Sequence, residues 1–261
     1  MSYKNIVFEH LEDGIATITV SRPEKLNAID RDTMDDLETA FAYVQNEATV
    51  RGLILTGAGD KAFVAGADIR ELAHADAIEA AQISSKGQHT FRRLELMRKP
   101  SVAALNGFAL GAGLELAMAC TLRVASQEAK MGLPELKLGL IPGYGGTQRL
   151  VRLVGRGKAL ELLLTGDKID AQEGCRIGLV NRVFPPESLL QGARDLLLAI
   201  LRNAPLALAL ALEAVDVGIS CGQEEGLRFE SAAFGLAAST EDRREGTAAF
   251  FERRPPVFTG K

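Results

Sequence analysis

The sequence predicts an α/β fold followed by a helical tail. Short apolar runs alternate with segments of helical periodicity through the first two thirds of the 261 residues. Such alternation is typical of βα units around a mostly parallel sheet. After Pro185-Pro186 only helical patterns follow. We therefore predict an α/β core over residues 1–184 and a helical region over residues 185–261, and these patterns alone favour an open doubly wound sheet for the core.

The N-terminal third contains three apolar runs that predict strands and one amphipathic run that predicts a helix. The strands are Ile6 to Glu9, Ile15 to Val20 and Gly52 to Thr56, and a hairpin turn is predicted at Glu12-Asp13-Gly14. Asp30 stands where a residue would cap a helix that continues to about Asn46. The apolar face of that helix consists of Met34, Leu37, Phe41 and Val44.

The middle third repeats the alternation. A helix is predicted from about Ile78 to Met97, then a buried strand from Ser101 to Leu105, a turn at Asn106-Gly107 and a helix from about Gly111. A further helical pattern covers Lys158 to Leu164 and ends near Gly166. The run Asp170 to Glu173 has the form of a capping box, and Gly178 to Phe184 predicts a last short strand.

Four helical segments are predicted in the tail, at about residues 187–202, 206–217, 223–237 and 242–253. The segment 206–212 is apolar nearly all round. Such a helix must be buried, either within its own subunit or against another.

The composition disfavours several classes of function. A net charge of −4 gives nucleic acid no general attraction to the chain. The N-terminal residues do not resemble a signal peptide, and no apolar run is long enough for a membrane span. Three unpatterned cysteines and three scattered histidines predict no metal site and a reduced, cytoplasmic location.

Two glutamates stand out within the stretch from Asn106 to Leu150. Glu115 and Glu135 both lie in apolar surroundings, close to glycine-rich turns. Burial of a carboxylate raises its pKa, and a general acid or base needs a raised pKa near neutral pH. Small residues around Gly111 would leave N–H groups free at the start of a helix, where they favour developing negative charge. The competing interpretation is a tightly packed strand–helix junction without chemistry.

Six segments resemble the enoyl-CoA hydratases of the crotonase superfamily. They are SRPEKLNAI at 21–29, AFVAGADI at 62–69, NGFALGAGLELAMAC at 106–120, GLPELKLGLIPGYGGTQRL at 132–150, TGDKIDAQEGCRIGLVNRV at 165–183 and STEDRREGTAAFFERRPPVF at 239–258. The resemblance implies a spiral core of ββα turns with a C-terminal helical trimerisation region. It also implies self-association as a trimer or as a hexamer made of two trimers.

The resemblance implies a reaction and roles for particular residues. Water would add reversibly across the 2,3 double bond of a trans-2-enoyl-CoA to give a 3-hydroxyacyl-CoA. Glu115 would deprotonate water for attack at Cβ, and Glu135 would exchange the proton at Cα. The backbone N–H groups of Ala67 and Ala112 would form the oxyanion hole. Coenzyme A enters as part of the substrate, and no separate cofactor is implied.

The resemblance also suggests residues that contact the acyl-CoA. The proposed contacts are Arg22, Lys25, Ala65, Gly66, Asp68, Ile69, Arg70, Gly111, Gly143 and Tyr144. Tyr144 is a weaker candidate than the others, and so is His89. Two other functions stay open at this point. One is enoyl-CoA isomerisation or other acyl-CoA chemistry on the same scaffold, and the other is a non-catalytic scaffold or RNA-binding role. The glutamate pair favours hydration over the first, and the net charge opposes the second.

Overall fold

The structure is a computed structural model that describes residues 3–10 and 13–261. Within them, strands form two sheets. The strands are β1 (Ile6–His10), β2 (Ile15–Val20), β3 (Gly52–Gly57), β4 (Ala62–Val64), β5 (Ser101–Leu105), β6 (Phe108–Leu110), β7 (Leu122–Ser126), β8 (Lys130–Gly132), β9 (Ile169–Asp170) and β10 (Arg182–Phe184). The predicted hairpin turn includes Glu12, which lies outside the described residues. The two strands that flank it pair antiparallel, with Ile6 opposite Val20.

The helices lie between and after these strands. They are α1 (Arg31–Asn46), α2 (Ile69–Leu72), α3 (Ala77–Glu95), α4 (Ala112–Ala119), α5 (Gly146–Thr165), α6 (Ala171–Arg176), α7 (Leu189–Leu201), α8 (Pro205–Ser220), α9 (Gln223–Ser239) and α10 (Glu241–Glu252). A 3-10 turn, Glu135–Leu138, precedes α5.

From β3 to β8, successive strands alternate between two sheets. One sheet has the order β1-β2-β3-β5-β7-β10, and the other has the order β4-β6-β8-β9. Each turn of the chain thus adds a strand to the first sheet, then a strand to the second, and then a helix. The implied spiral of ββα turns is confirmed, and the open doubly wound sheet favoured by the residue patterns alone is wrong. The second-sheet strands β4, β6 and β8 have three residues each, which is too short to show a period.

Glycines allow the second sheet to pack directly against its neighbours. A Cβ at Gly113 would lie 1.9 Å from the carbonyl oxygen of Val64, and one at Gly107 would lie 2.2 Å from that of Lys61. No side chain fits at either distance. Helix α4 therefore packs on β4 with backbone against backbone, which brings the residues after β4 close to the start of α4.

Several predicted helix ends are confirmed. The Asp30 side chain accepts a hydrogen bond from the Thr33 N–H at the start of α1. Asp170 caps α6 through the Glu173 N–H, although the Glu173 side chain pairs with Arg176 and does not close a capping box. Helix α5 ends before Gly166 as predicted, but it begins at residue 146. A kink at Gly155, with φ of 76°, divides it and interrupts the helical period.

Helix α7 differs from the helices that follow it. Its apolar side chains pack on the face of the first sheet opposite the main core; this layer consists of Leu189, Ala193, Leu197 and Leu201 with Ile15, Ile54, Val102, Ala104 and Val124. Helices α8, α9 and α10 instead keep many large apolar side chains exposed. The division after Phe184 marks the last strand, and its significance as a domain boundary stays a prediction.

No single helix among the described residues is long and apolar enough to cross a membrane. The segments Pro186–Leu201 and Pro205–Ser220 reach the required length and hydropathy only as a pair, which is bent by 104°.

Candidate active site

A cavity of about 1250 Å³ lies where the two sheets, α3, α4, α5 and α8 approach one another. It is lined by the turns that follow β4 and β6, by the 3-10 turn and by the loop before α5. Both predicted glutamates and both predicted oxyanion donors lie on its wall, and so do Ala65, Gly66, Ile69, Gly111, Gly143 and Tyr144. The structure thus brings together ten of the fourteen predicted site residues.

The two oxyanion candidates come together because β4 and β6 are parallel neighbours. Ala67 follows β4, and Ala112 is the first residue of α4 after β6. A Cβ at Gly111 would lie 3.8 Å from the Cα of Gly66, so the two turns face each other closely. Within the described residues, the N–H groups of Ala67 and Ala112 donate to no protein acceptor. Two unpaired donors at a cavity wall can stabilise an oxyanion.

Glu115 is almost completely buried, with 1% of its surface exposed. Its Oε1 accepts hydrogen bonds from the N–H groups of Tyr144 at 2.8 Å and Gly146 at 2.7 Å. The pKa of Glu115 is raised to about 7, chiefly by burial and in part by the charge of Glu135. The two N–H donors and the charge of Arg149 act in the opposite direction. At neutral pH this carboxyl can therefore gain or lose a proton readily.

Glu135 reaches the same region from the 3-10 turn. Its Oε1 lies 2.8 Å from the position that a Cβ on Gly111 would occupy, and its buried Oε2 has no hydrogen-bond partner. Burial raises the pKa of Glu135. A buried carboxyl oxygen without a partner is costly when charged and favours the protonated form. The two carboxyls therefore meet across a cavity in which each can carry a proton.

The comparisons with known proteins identify the family of this chain. The sequence profile of a family described as enoyl-CoA hydratase/isomerase matches residues 10–261. The chain belongs to this enoyl-CoA hydratase/isomerase family.

Individual members of the enoyl-CoA hydratase/isomerase family are similar over the whole length. The short-chain-enoyl-CoA hydratase of Clostridium acetobutylicum is 46% identical over 97% of each chain. The crotonyl-CoA hydratase of Syntrophomonas wolfei is 45% identical over 100% of each chain. A crystal structure of an enoyl-CoA hydratase from Bacillus anthracis, 39% identical, superposes with a TM-score of 0.95 over 99% of this chain and 100% of that one.

The predicted charged contacts do not line the cavity. Arg22 is paired with Asp30 at 2.8 Å, and its side chain is largely buried. Arg70 forms a two-pronged ion pair with Asp68, whose pKa it holds at about 2. Lys25 is exposed. These groups lie in or beside the loop 65–70 at the rim, so their contact with coenzyme A stays a prediction for this member of the family.

Of the two weaker candidates, Tyr144 lines the cavity and His89 does not. Tyr144 lies on the cavity wall, packs edge-to-face on Phe91 with ring centroids 5.6 Å apart, and carries one of the N–H donors to Glu115. His89 is exposed on α3 and does not line the cavity. Within the described residues no group of three or more metal-ligating side chains is arranged around a common point. The expectation that no cofactor is needed stays a prediction.

Sequence reasoning missed a chain of ion pairs beside the loop that precedes α5. Arg149 donates to Glu95 at 2.7 Å and 2.9 Å and to the Tyr144 carbonyl at 2.6 Å. Arg92 continues the chain from Glu95 to Asp216 on α8. Arg149 lies in the family-like segment 132–150, but nothing in the sequence points to Glu95, which lies 54 positions before Arg149. The chain of pairs ties the loop of this family member to α3 and α8.

Replacing Glu115 with Gln should raise the free energy of unfolding at alkaline pH. The pKa of this carboxyl is higher in the folded state than in the unfolded state. The free energy of unfolding therefore falls as the pH rises from the pKa of the unfolded state to that of the folded state. The wild type should therefore be less stable than Glu115→Gln by about 3 kcal/mol at about pH 8, and the two should converge at about pH 4. Denaturant titrations of both proteins at matched concentration and several pH values measure the difference. A constant difference at all pH values would contradict the raised pKa.

Proposed function

We propose that this protein is an enoyl-CoA hydratase. It adds water reversibly across the 2,3 double bond of a trans-2-enoyl-CoA and releases a 3-hydroxyacyl-CoA. The observation that carries the proposal is the meeting of Glu115 and Glu135 beside the free N–H groups of Ala67 and Ala112 in one cavity. Two similar proteins named short-chain-enoyl-CoA hydratase and crotonyl-CoA hydratase support it and favour a short acyl chain.

The oxyanion donors act on the thioester carbonyl. Its oxygen would lie between the N–H groups of Ala67, in the loop after β4, and Ala112, at the start of α4. As water adds at Cβ, electrons move through the double bond and negative charge grows on this oxygen. Preorganised donors in a closed site stabilise such a charge more than water does, by about 3 kcal/mol for each donor.

The glutamates divide the proton transfers. Glu115 holds its Oε1 on two N–H groups, which leaves Oε2 free of protein donors within the described residues to take a proton from water. The resulting hydroxide equivalent forms the new bond at Cβ. Glu135, in its protonated form, delivers a proton to Cα as the enolate collapses. A positioned acid or base contributes about 10²–10⁴-fold to the rate, so the pair can supply a large share of the acceleration.

The test is the loss of conjugated-thioester absorbance when the purified protein meets crotonyl-CoA. Rapid loss, with 3-hydroxybutyryl-CoA as the product, supports the proposal. Binding of crotonyl-CoA without hydration contradicts it for this substrate, and longer, aromatic and 3-enoyl substrates then separate another hydratase from an isomerase. Absence of binding to every acyl-CoA contradicts the proposal altogether and favours a non-catalytic role.

We also infer that the protein assembles through its C-terminal helices into a trimer or a pair of trimers. Phe234, Phe250 and Phe251 are 74%, 79% and 81% exposed in the isolated chain. Helix α8, with its high content of Leu and Ala, has no fully buried residue. Apolar surface of this extent favours burial against another copy. The cytoplasmic location stays a prediction from the sequence.

Replacing Phe250 and Phe251 together with Glu should dissociate the assembly. Two carboxylates cannot be buried unpaired in an apolar contact, so the variant should elute and scatter light as a monomer. Size-exclusion chromatography with light scattering gives the mass of each form. Val7→Glu, at an exposed position on the first sheet, is the control that should keep the wild-type mass. A monomeric wild type would contradict the inference.

A further inference from the structure

One peptide unit in the loop before α5 is hydrogen-bonded through both its N–H group and its carbonyl. The N–H of Tyr144 donates to Oε1 of Glu115 at 2.8 Å. The carbonyl of the same peptide unit belongs to Gly143, and it accepts from Ser84 Oγ at 2.6 Å and from Gln88 Nε2 at 3.0 Å. The peptide between Gly143 and Tyr144 therefore connects two side chains of α3 to the carboxyl on α4.

The two side chains on α3 form a unit of their own. Ser84 and Gln88 are one turn apart, so they share a face of the helix, and Gln88 Nε2 also donates to Ser84 Oγ at 3.2 Å. Both lie on the cavity wall. A carbonyl that accepts two hydrogen bonds polarises its peptide unit and strengthens the opposite N–H as a donor. Since a peptide unit is planar, holding its carbonyl also orients that N–H.

We propose that Ser84 and Gln88 are positioning residues for Glu115, which they orient through the Gly143–Tyr144 peptide. They also fix Gly143, whose own N–H faces no protein acceptor within the described residues. The kinetic test of this inference rests on the proposed hydratase function. The titration of Glu115 tests it independently of turnover. The residues do not exchange protons with the substrate themselves.

The charged and titratable groups that face Glu115 come from three elements. Glu135 comes from the 3-10 turn, Tyr144 from the loop, and Arg149 from α5. All of them stay in place when the α3 side chains are altered. A weaker Tyr144 donor stabilises the ionised carboxyl less, so the pKa of Glu115 should rise when Ser84 and Gln88 lose their hydrogen bonds.

The experiment compares Ser84→Ala, Gln88→Met and the double variant with the wild type. We expect kcat for crotonyl-CoA to fall about fivefold in each single variant and about twentyfold in the double variant, in line with the net worth of neutral hydrogen bonds. KM should change little, and the acidic limb of kcat should move upward by about half a pH unit. Ser84→Thr keeps the hydroxyl and should restore most of the activity.

Matched controls come from the same helix. Ser85→Ala and Gln82→Met alter exposed residues that do not line the cavity, and within the described residues these side chains make no hydrogen bond. Both variants should retain wild-type kcat. If they lose activity as the test variants do, the effect reflects the stability of α3, and the proposal is overturned.

A second measurement tests the proposal without any catalytic turnover. Carbon-13 NMR of protein labelled at the Glu carboxyls can follow Glu115, assigned as the resonance lost in Glu115→Gln. A higher titration midpoint of Glu115 in the double variant supports the proposal even if the protein does not hydrate crotonyl-CoA. The absence of hydration would then count against the proposed function alone. An unchanged midpoint with unchanged kcat overturns the proposal. So does a rise of KM at constant kcat, since it would make Ser84 and Gln88 simple substrate contacts.

Discussion

Glu135→Gln should lower kcat for crotonyl-CoA hydration about 10²–10⁴-fold, and Glu115→Gln should lower it by a similar factor. The amide keeps the shape of the side chain but cannot transfer a proton. In Glu115→Gln, the amide oxygen can still accept the N–H groups of Tyr144 and Gly146, so the loop should keep its position. Stopped-flow absorbance measures kcat, and equilibrium binding of crotonyl-CoA should stay close to the wild-type value.

The control for both variants is Glu128→Gln. Glu128 is exposed in the turn between β7 and β8 and does not line the cavity, so its replacement should leave kcat unchanged. Wild-type activity in Glu115→Gln or Glu135→Gln would remove that residue from the mechanism. Activity retained in one variant alone would indicate chemistry with a single carboxyl, as an isomerase would use.

Gly113→Ala should reduce the free energy of unfolding by about 3 kcal/mol, at the upper end of the usual cost of overpacking. The new methyl group would lie 1.9 Å from the Val64 carbonyl oxygen, which is backbone and cannot turn aside. Either α4 or β4 must move. Because Ala67 follows β4 and Ala112 begins α4, their separation should increase and kcat should fall together with stability. Denaturant titration and the crotonyl-CoA assay measure the two effects.

Gly157→Ala is the matched control. Gly157 lies within α5, and a methyl group there would meet no atom within 4 Å. Replacement of glycine by alanine inside a helix should stabilise the protein by roughly 0.5–1 kcal/mol. If Gly113→Ala is as stable and as active as Gly157→Ala, the close approach of α4 to β4 does not set the geometry of the oxyanion site.

The sequence was most informative where the signal was local. Asp30 as a helix cap, the buried strands of the first sheet, and the end of α5 before Gly166 depend on residues within a few positions of each other. The helical tail after Phe184 was equally clear, because its four segments lack every strand signal. The family resemblance was carried by six ordered segments, and the family profile confirms it over nearly the whole chain.

Residue patterns failed where elements are short or partners are distant. The strands of the second sheet have two or three residues each, so the residue patterns do not reveal this sheet and favour a single open one. The residue patterns did not indicate the ion pairs of Arg22 with Asp30 and of Arg70 with Asp68, and the contact of both arginines with coenzyme A stays a prediction. The pairing of Arg149 with Glu95 and the contact of Ser84 with Gly143 join residues more than 50 positions apart.

The sequence by itself determined the ββα class through its resemblance to the family, the helical tail, and the pair of glutamates in apolar surroundings. Only the tertiary structure decided that Glu115 and Glu135 share one cavity with the N–H groups of Ala67 and Ala112. The physical reason is that a pKa, an unpaired N–H group and an ion pair depend on what packs around a group. Glu115 is buried by elements from across the chain, so its surroundings exist only after the two sheets have packed together.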